Sequence, residues 1–301
     1  MDTLNASHIP VESCNSWSYY SPVPNLNLTP EESKKGYMLG VDEAGRGPVL
    51  GSMVYAIAYT PVDYLDKLKE MGFADSKVLK PEQRDTLFED IKQTDWIGWG
   101  VHACSPAEIS ESMFRRNKYN LNEIAHDTTI NMIKEILSKG VNLTEIYVDT
   151  VGSPEKYQQK LSTIFPQISI TVTKKADSLF PIVSAASICA KVTRDLSIQN
   201  WNFIESIEID KEFGSGYPSD PQTVKWLKDN LNPIFGFPNI IRFSWSTVAN
   251  LLESHGVQFD WGSENVHIEQ SNTIDKFYSK TKGHQRDSIY QSLRLSHVVN
   301  F

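Results

Sequence analysis

Three short apolar runs in this chain lead into acidic residues, and that placement restricts the fold more than any other feature. Leu39-Gly40-Val41 runs into Asp42-Glu43, Ile146-Tyr147-Val148 into Asp149, and Val172 leads through Thr173-Lys174-Lys175-Ala176 to Asp177. A carboxylate at the carboxyl end of a buried strand is costly unless it is paired or metal-bound. In open α/β sheets that edge is where ligands bind. Carboxylates gathered there repel one another, and a hard dication relieves the repulsion; Mg²⁺ favours oxygen ligands and substrate phosphates. Taken singly, each acid reads as a solvated strand end or a helix cap. Taken together they point to a metal centre. Asp42 and Glu43 are adjacent, and adjacent strand residues face opposite sides. Both can serve one site only if the strand ends there and the backbone turns, which Ala44-Gly45 permits.

The pattern around these runs predicts a three-layer α/β fold on a mixed sheet. Tyr37–Val41 and Met53–Tyr59 read as a β-hairpin joined by a Gly/Pro-rich turn. Residues 96–103, 145–148 and 168–172 read as strands. Helical periodicity covers 81–93, with Pro81 at the first position, then 120–138, closed by Gly140, and 154–165. A long helix over 182–203 carries Ser184, Ala185, Ala186, Ser187 and Ala190, small enough to pack close to the sheet. Asp220-Pro221 starts a helix to Leu231, and a last one begins at Ser246. Strands alternating with helices after a hairpin imply helices on both faces of the sheet. We read 1–35, rich in Ser, Pro and Asn, as a flexible arm, 36–255 as the folded domain and 256–301 as a tail.

Composition limits function less sharply. The net charge of −8 argues mildly against a nucleic-acid binder, yet net charge is not field shape. Basic residues cluster locally at Arg115, Arg116 and Lys118 and at Lys174, Lys175, Lys191 and Arg194, and bound cations would offset several acids. Cys14, Cys104 and Cys189 lack any C-x-x-C spacing and fit a reducing compartment. No apolar leader and no membrane-spanning run is visible.

Two loops stand out. Gly45-Arg46-Gly47-Pro48 reads as a plain hairpin turn, or as bare backbone that a sugar–phosphate chain approaches closely while Arg46 holds a phosphate. In Gly214-Ser215-Gly216-Tyr217-Pro218, the proline keeps Tyr217 extended. Its ring is either a flat wall for a sugar or base, or a core residue. Asp75-Ser76-Lys77 reads as a helix-capping loop, and His126 as structural.

The block Val41-Asp42-Glu43-Ala44-Gly45-Arg46-Gly47-Pro48 resembles the opening signature of type 2 ribonucleases H. The resemblance continues in order through Asp75-Ser76-Lys77, Tyr119–Asn122, Val148–Gly152, Lys175–Ser178, Ser184–Ser187 with Ala190-Lys191-Val192, and Gly214–Pro218. Ser21–Pro24, Phe235–Pro238 and Arg242-Phe243-Ser244-Trp245 resemble the catalytic chain of the eukaryotic enzymes. The resemblance implies a ribonuclease H-like fold with a helical C-terminal extension. It implies that Asp42, Glu43, Asp149 and Asp177 hold catalytic Mg²⁺, with Mn²⁺ able to substitute, and that Gly45, Arg46, Gly47 and Tyr217 read the RNA–DNA junction. Lys77 and Lys174 stand in or beside these blocks and are expected to contact substrate.

The activity so implied is two-metal hydrolysis 5′ of ribonucleotides embedded in duplex DNA, and of RNA in RNA/DNA hybrids, leaving 5′-phosphate and 3′-hydroxyl ends. Its uses are removal of misincorporated ribonucleotides and of replication primers in the nucleus, in a heterotrimer with two different auxiliary subunits. A non-catalytic nucleic-acid-binding scaffold of the same fold is the alternative. Ser271–Tyr278 in the tail carries Ile274, Phe277 and Tyr278 at one-turn spacing. It reads as a dock for the auxiliary subunits, as a sliding-clamp box without the leading glutamine, or as an idle tail.

Overall fold

The computed structural model describes residues 15–26, 29–73, 79–117, 119–150, 152–205 and 209–257. Strands β1 (Trp17–Tyr20), β2 (Tyr37–Ala44), β3 (Met53–Pro61), β4 (Gly98–Cys104), β5 (Leu143–Asp149) and β6 (Ser169–Thr173) form a six-stranded mixed sheet in the order β1-β4-β3-β2-β5-β6. The β1–β4–β3–β2 half is antiparallel, and β2, β5 and β6 run parallel. The parallel strands β2 and β5 therefore end together near the middle of the sheet, on Asp42-Glu43-Ala44 and on Asp149.

Helices cover both faces, as the alternation of periods predicts. One face packs on α5 (Leu121–Ser138) and α6 (Pro154–Ile164) through Leu39, Val41, Ile57, Ile133, Ile136 and Leu161. The other packs on α3 (Pro81–Gln93) and α8 (Pro181–Gln199) through Met38, Ala56, Ala58, Phe88, Ala185 and Ala186. The small residues of α8 do what their size suggests: every residue from Ile182 to Ala190 is buried. A Cβ on Gly40 would stand 2.4 Å from the carbonyl oxygen of Ile182, so β2 carries bare backbone where α8 crosses it. A third core joins α9 (Pro221–Asp229) and α10 (Ser246–His255) to the 45–52 connection through Val49, Leu50, Trp226, Ile241 and Val248.

Three expectations change. Within the arm assigned to 1–35, Trp17–Tyr20 is an edge strand, registered from Trp17 opposite Ala103 to Tyr20 opposite Gly100. The Ser/Pro/Asn-rich average hid four residues of high strand propensity, Trp-Ser-Tyr-Tyr, and Tyr19 packs on Trp99 with centroids 5.0 Å apart. Pro30–Lys35 is also a short helix, α1. The long helix ends at Gln199, before the Phe203 that its periodicity suggested. Finally, β2 does not stop at Asp42. The ladder runs on through Asp42 opposite Ala56, Glu43 opposite Tyr55 and Ala44 opposite Val54.

Pro81 opens α3, and Asn120 and Asp220 cap α5 and α9 with their side chains, as read from sequence. Short helices α2 (Leu65–Glu70) and α7 (Ala176–Leu179), together with α4 (Pro106–Phe114), complete the described elements. Among the described residues no helix is long and apolar enough to cross a membrane. Lys77, Lys118 and the segment Ser271–Tyr278 lie outside the described residues.

The Gly40 contact gives a direct test of the β2–α8 packing. Gly40→Ala forces backbone against backbone, and overpacking of this kind costs about 1–3 kcal/mol. The urea midpoint of the variant is expected to fall by that amount; an unchanged midpoint would mean that α8 does not seat on β2.

Candidate active site

An open cavity of about 370 Å³ lies where β2 and β5 end, and Asp42, Glu43, Asp149 and Asp177 all line it. Continuation of β2 does not separate its two acids. Asp42 leaves the face covered by α8 and takes a hydrogen bond from Ser187, while Glu43 leaves the other face, near Tyr55 and Tyr157. The cavity straddles the end of the strand and is reached from both sides. Asp149, the last residue of β5, accepts from Ala176 N–H at 3.0 Å, which fixes the start of α7 and thereby buried Asp177. Lys175, just before, has φ 59°, the only positive φ outside glycine among the described residues. That turn brings Asp177 back to the sheet edge.

Burial drives the electrostatics. Asp42 is 5% exposed, and the Glu43 side chain 13%. Loss of water pushes both carboxyls well above the ordinary carboxylate range. For Asp42 the Ser187 hydrogen bond pulls the other way, and Asp149 and Asp177 add to the rise. For Glu43 the charge of Asp42 adds to it and Arg46 opposes it, with guanidinium and carboxylate 3.9 Å apart. A nest of buried oxygens that resists ionisation is a fitting seat for a hard dication, which supplies the missing charge.

The wall beside the acids is the 45–47 loop, and residues far along the chain shape it. Arg242, fully buried, donates from Nε to Gly51 O at 2.8 Å, from Nη1 to Arg46 O at 3.2 Å and from Nη2 to Gly45 O at 2.6 Å. Trp245 Nε1 donates to Gly47 O at 3.1 Å. With these carbonyls drawn inward, the trans peptides turn the following N–H groups, of Arg46 and Gly47, to the opposite side. Gly45 has φ +76°, and a Cβ there would stand 2.9 Å from Ser52 O, so only glycine fits without strain. Arg46 bonds Asn122 at the start of α5. Tyr217 is a wall and not a core residue: its ring lies over Gly47 and is 46% exposed. Val49 N–H donates to Gly216 O at 2.8 Å and holds the two loops together.

The structure thus brings Asp42, Glu43, Asp149, Asp177, Gly45, Arg46, Gly47 and Tyr217 around one cavity. It leaves Lys174 exposed and off that lining. Arg84, Lys191, Arg194 and Asp195 line it instead. Sequence reasoning grouped Lys191 and Arg194 only as a basic stretch and missed Arg84 altogether. It also gave Arg242 no role, although an arginine following Ile240-Ile241 is a signal that a buried cation has something to hold. His126 is stacked on Tyr157 with centroids 3.9 Å apart, a structural contact.

The chain matches the Ribonuclease HII family over residues 39–248, a span that holds every lining residue of the cavity. The chain belongs to the ribonuclease HII family. It is 48% identical to a ribonuclease H2 chain of Bos taurus, over 92% of this chain and 90% of that one. The ribonuclease H2 structure from Pyrococcus horikoshii OT3 superposes with a TM-score of 0.60 at 33% identity, over 73% of this chain and 98% of that one. The ribonuclease HII of a PCNA:RNase HII complex from Archaeoglobus fulgidus gives 0.60 at 30%, over 80% and 100%. The chain is thus a ribonuclease H enzyme, and the family is metal-dependent.

Two expectations test this ribonuclease H site. Below about pH 4 the Asp42 and Glu43 carboxyls are protonated both folded and unfolded. As pH rises through neutrality, the unfolded chain releases protons that the folded, metal-free protein retains, so folding stability falls. Chelator-treated protein is expected to lose at least ~1 kcal/mol between pH 5 and 8, Asp42→Asn to lose less, and Mg²⁺ to reverse the trend. Equal stability at both pH values in chelator would remove the buried-charge account. Arg242→Met, which leaves three carbonyls without their donor, is expected to cost roughly 2–3 kcal/mol and to lower cleavage beyond that stability loss. Full activity in the folded fraction would show that the loop holds its shape unaided.

Proposed function

We propose that this ribonuclease H cuts on the 5′ side of ribonucleotides embedded in duplex DNA, and cuts RNA within RNA/DNA hybrids, leaving 5′-phosphate and 3′-hydroxyl ends. The observation that carries the reading is the joining of four carboxylates to a backbone-lined wall and an exposed aromatic ring in one cavity. Asp42, Glu43, Asp149 and Asp177 would hold Mg²⁺, or Mn²⁺, through an all-oxygen donor set. The metal ions would supply an activated water and stabilise charge on the scissile phosphate and its leaving oxygen.

The chain's own residues supply selectivity. The 2′-hydroxyl is the atom that separates RNA from DNA at a site. The outward N–H groups of Arg46 and Gly47 suit a sugar or phosphate oxygen, and Arg242 holds them in that orientation without reaching the cavity. Tyr217 offers its ring to the next sugar, where a deoxyribose fits and an added hydroxyl does not. Arg84, Lys191 and Arg194 are positioned for phosphates along the strand. Lys77 and Lys174 belong to substrate contacts farther along the duplex.

We place the enzyme in the nucleus, acting on misincorporated ribonucleotides and replication primers. Its eukaryotic relatives are named as one subunit among others, which supports two auxiliary partners in a heterotrimer, docked through 256–301 as a tail appended to a catalytic domain over 36–255. The Archaeoglobus complex keeps a sliding clamp as a further partner for Ser271–Tyr278.

Incubating the purified chain, with and without the auxiliary subunits, on a duplex with one ribonucleotide and Mg²⁺ tests the proposal. Wild type is expected to cut 5′ of the ribonucleotide and Asp149→Asn to fall to background. Tyr217→Ala is expected to lose about 1–3 kcal/mol of transition-state binding at the single ribonucleotide, with Mg²⁺ affinity retained. Cleavage by Asp149→Asn at the wild-type rate, or binding without cutting by wild type in every assembly, would overturn it.

A further inference from the structure

A second group of metal-ligating side chains lies on β4 and α4 and shares no residue with the acidic cavity. His102 and Cys104 are two apart on β4, so their side chains leave the same face. Ser105 caps α4, accepting from Glu108 N–H at 3.1 Å, and the turn brings Glu108 back over that face. A ring nitrogen of His102, the Cys104 sulfur and a Glu108 carboxylate oxygen all lie within 4.8 Å of one another.

We propose that His102, Cys104 and Glu108 form a site for a zinc-class divalent cation that pins β4 to α4, independent of the cation-binding acids of the active site. A donor set of thiolate, imidazole and carboxylate favours Zn²⁺ and disfavours Mg²⁺. Tetrahedral Zn²⁺ with bonds of ~2.0–2.3 Å sets its ligands roughly 3.3–3.8 Å apart, a closure that side-chain rotation from the present spacing supplies. Cys104 is fully buried, Glu108 is exposed, and a cavity of about 280 Å³ opens beside His102 and Glu108. The cavity provides the way in and room for a water as fourth ligand.

Three hydroxyls stand where outer partners of such a site belong. Ser18 Oγ is 2.7 Å from His102 Nδ1, Ser16 donates to Glu108, and Thr128 Oγ1 is 3.8 Å from the Cys104 sulfur. Partners of this kind fix the rings and carboxylates that hold a metal. Burial lowers the His102 pKa and keeps the ring in its neutral, ligating form. Binding would exchange the Cys104 thiol proton for the cation and release that proton to solvent. Ser16 and Ser18 lie just before and within β1, so the cation would also anchor the edge strand.

The test uses the full chain with Mg²⁺ at saturation, titrated with Co²⁺ and, separately, with Zn²⁺. Co²⁺ is expected to give a thiolate-to-metal charge-transfer band, which the all-oxygen active site cannot produce. Zn²⁺ is expected to displace it at one equivalent and to raise the melting temperature. Cys104→Ser should abolish the band, Glu108→Gln and His102→Ala should each weaken Zn²⁺ at least tenfold, and Ser18→Ala roughly tenfold. If Cys104→Ser does not fold, the solvent-reaching Glu108→Gln and His102→Ala carry the decision. Absence of the band in wild type, its persistence in Cys104→Ser, or Zn²⁺ affinity unchanged in both Glu108→Gln and His102→Ala would overturn the site. Because Mg²⁺-dependent cleavage is read separately, failure here leaves the nuclease reading intact, and the converse holds.

Discussion

Crowding of carboxylates at one sheet edge is the constraint on which the other arrangements depend. Parallel pairing of β2 with β5 brings Asp42, Glu43 and Asp149 to the same line, and the turn at Lys175 adds Asp177. Buried like charges cost free energy, so the fold must be held by interactions made elsewhere. The close seating of α8 on Gly40 and the two apolar layers provide that support. The price is local and the return is a site that needs a cation.

Continuation of β2 through Ala44 turns out to be an advantage. Had the strand broken at Asp42, the two acids would hang on a flexible turn. Held in the ladder opposite Ala56 and Tyr55, they leave opposite faces with fixed directions, and the cavity wraps the strand end to meet both. Rigid elements place catalytic groups more accurately than loops do.

Much of this was legible in the sequence. Alternating periods gave the layers, apolar runs ending in acids gave the site edge, and the small residues of α8 gave the tight contact. The edge strand Trp17–Tyr20 escaped because composition averaged over 35 residues dilutes a four-residue signal. Arg84 escaped because a helix surface arginine looks like any solvated charge; only the fold turns it toward the cavity. Lys174 misled for the reverse reason, since nearness in sequence to Asp177 does not bring it to the cavity wall. Arg242 carries its function through three carbonyls, and carbonyls have no sequence signature.

The tie from Arg242 to Gly45 and Arg46 also orders events in time. Synthesis delivers the four acids by residue 177, but the donor that shapes the substrate-reading loop is added 65 residues later, 242 less 177. A nascent chain halted between these points would carry the full acidic set beside an unshaped loop, able to attract cations yet poorly equipped to choose a ribose. Discrimination is therefore the last property the growing polypeptide acquires, and a prematurely terminated product is expected to be harmless to DNA for lack of fit rather than lack of charge.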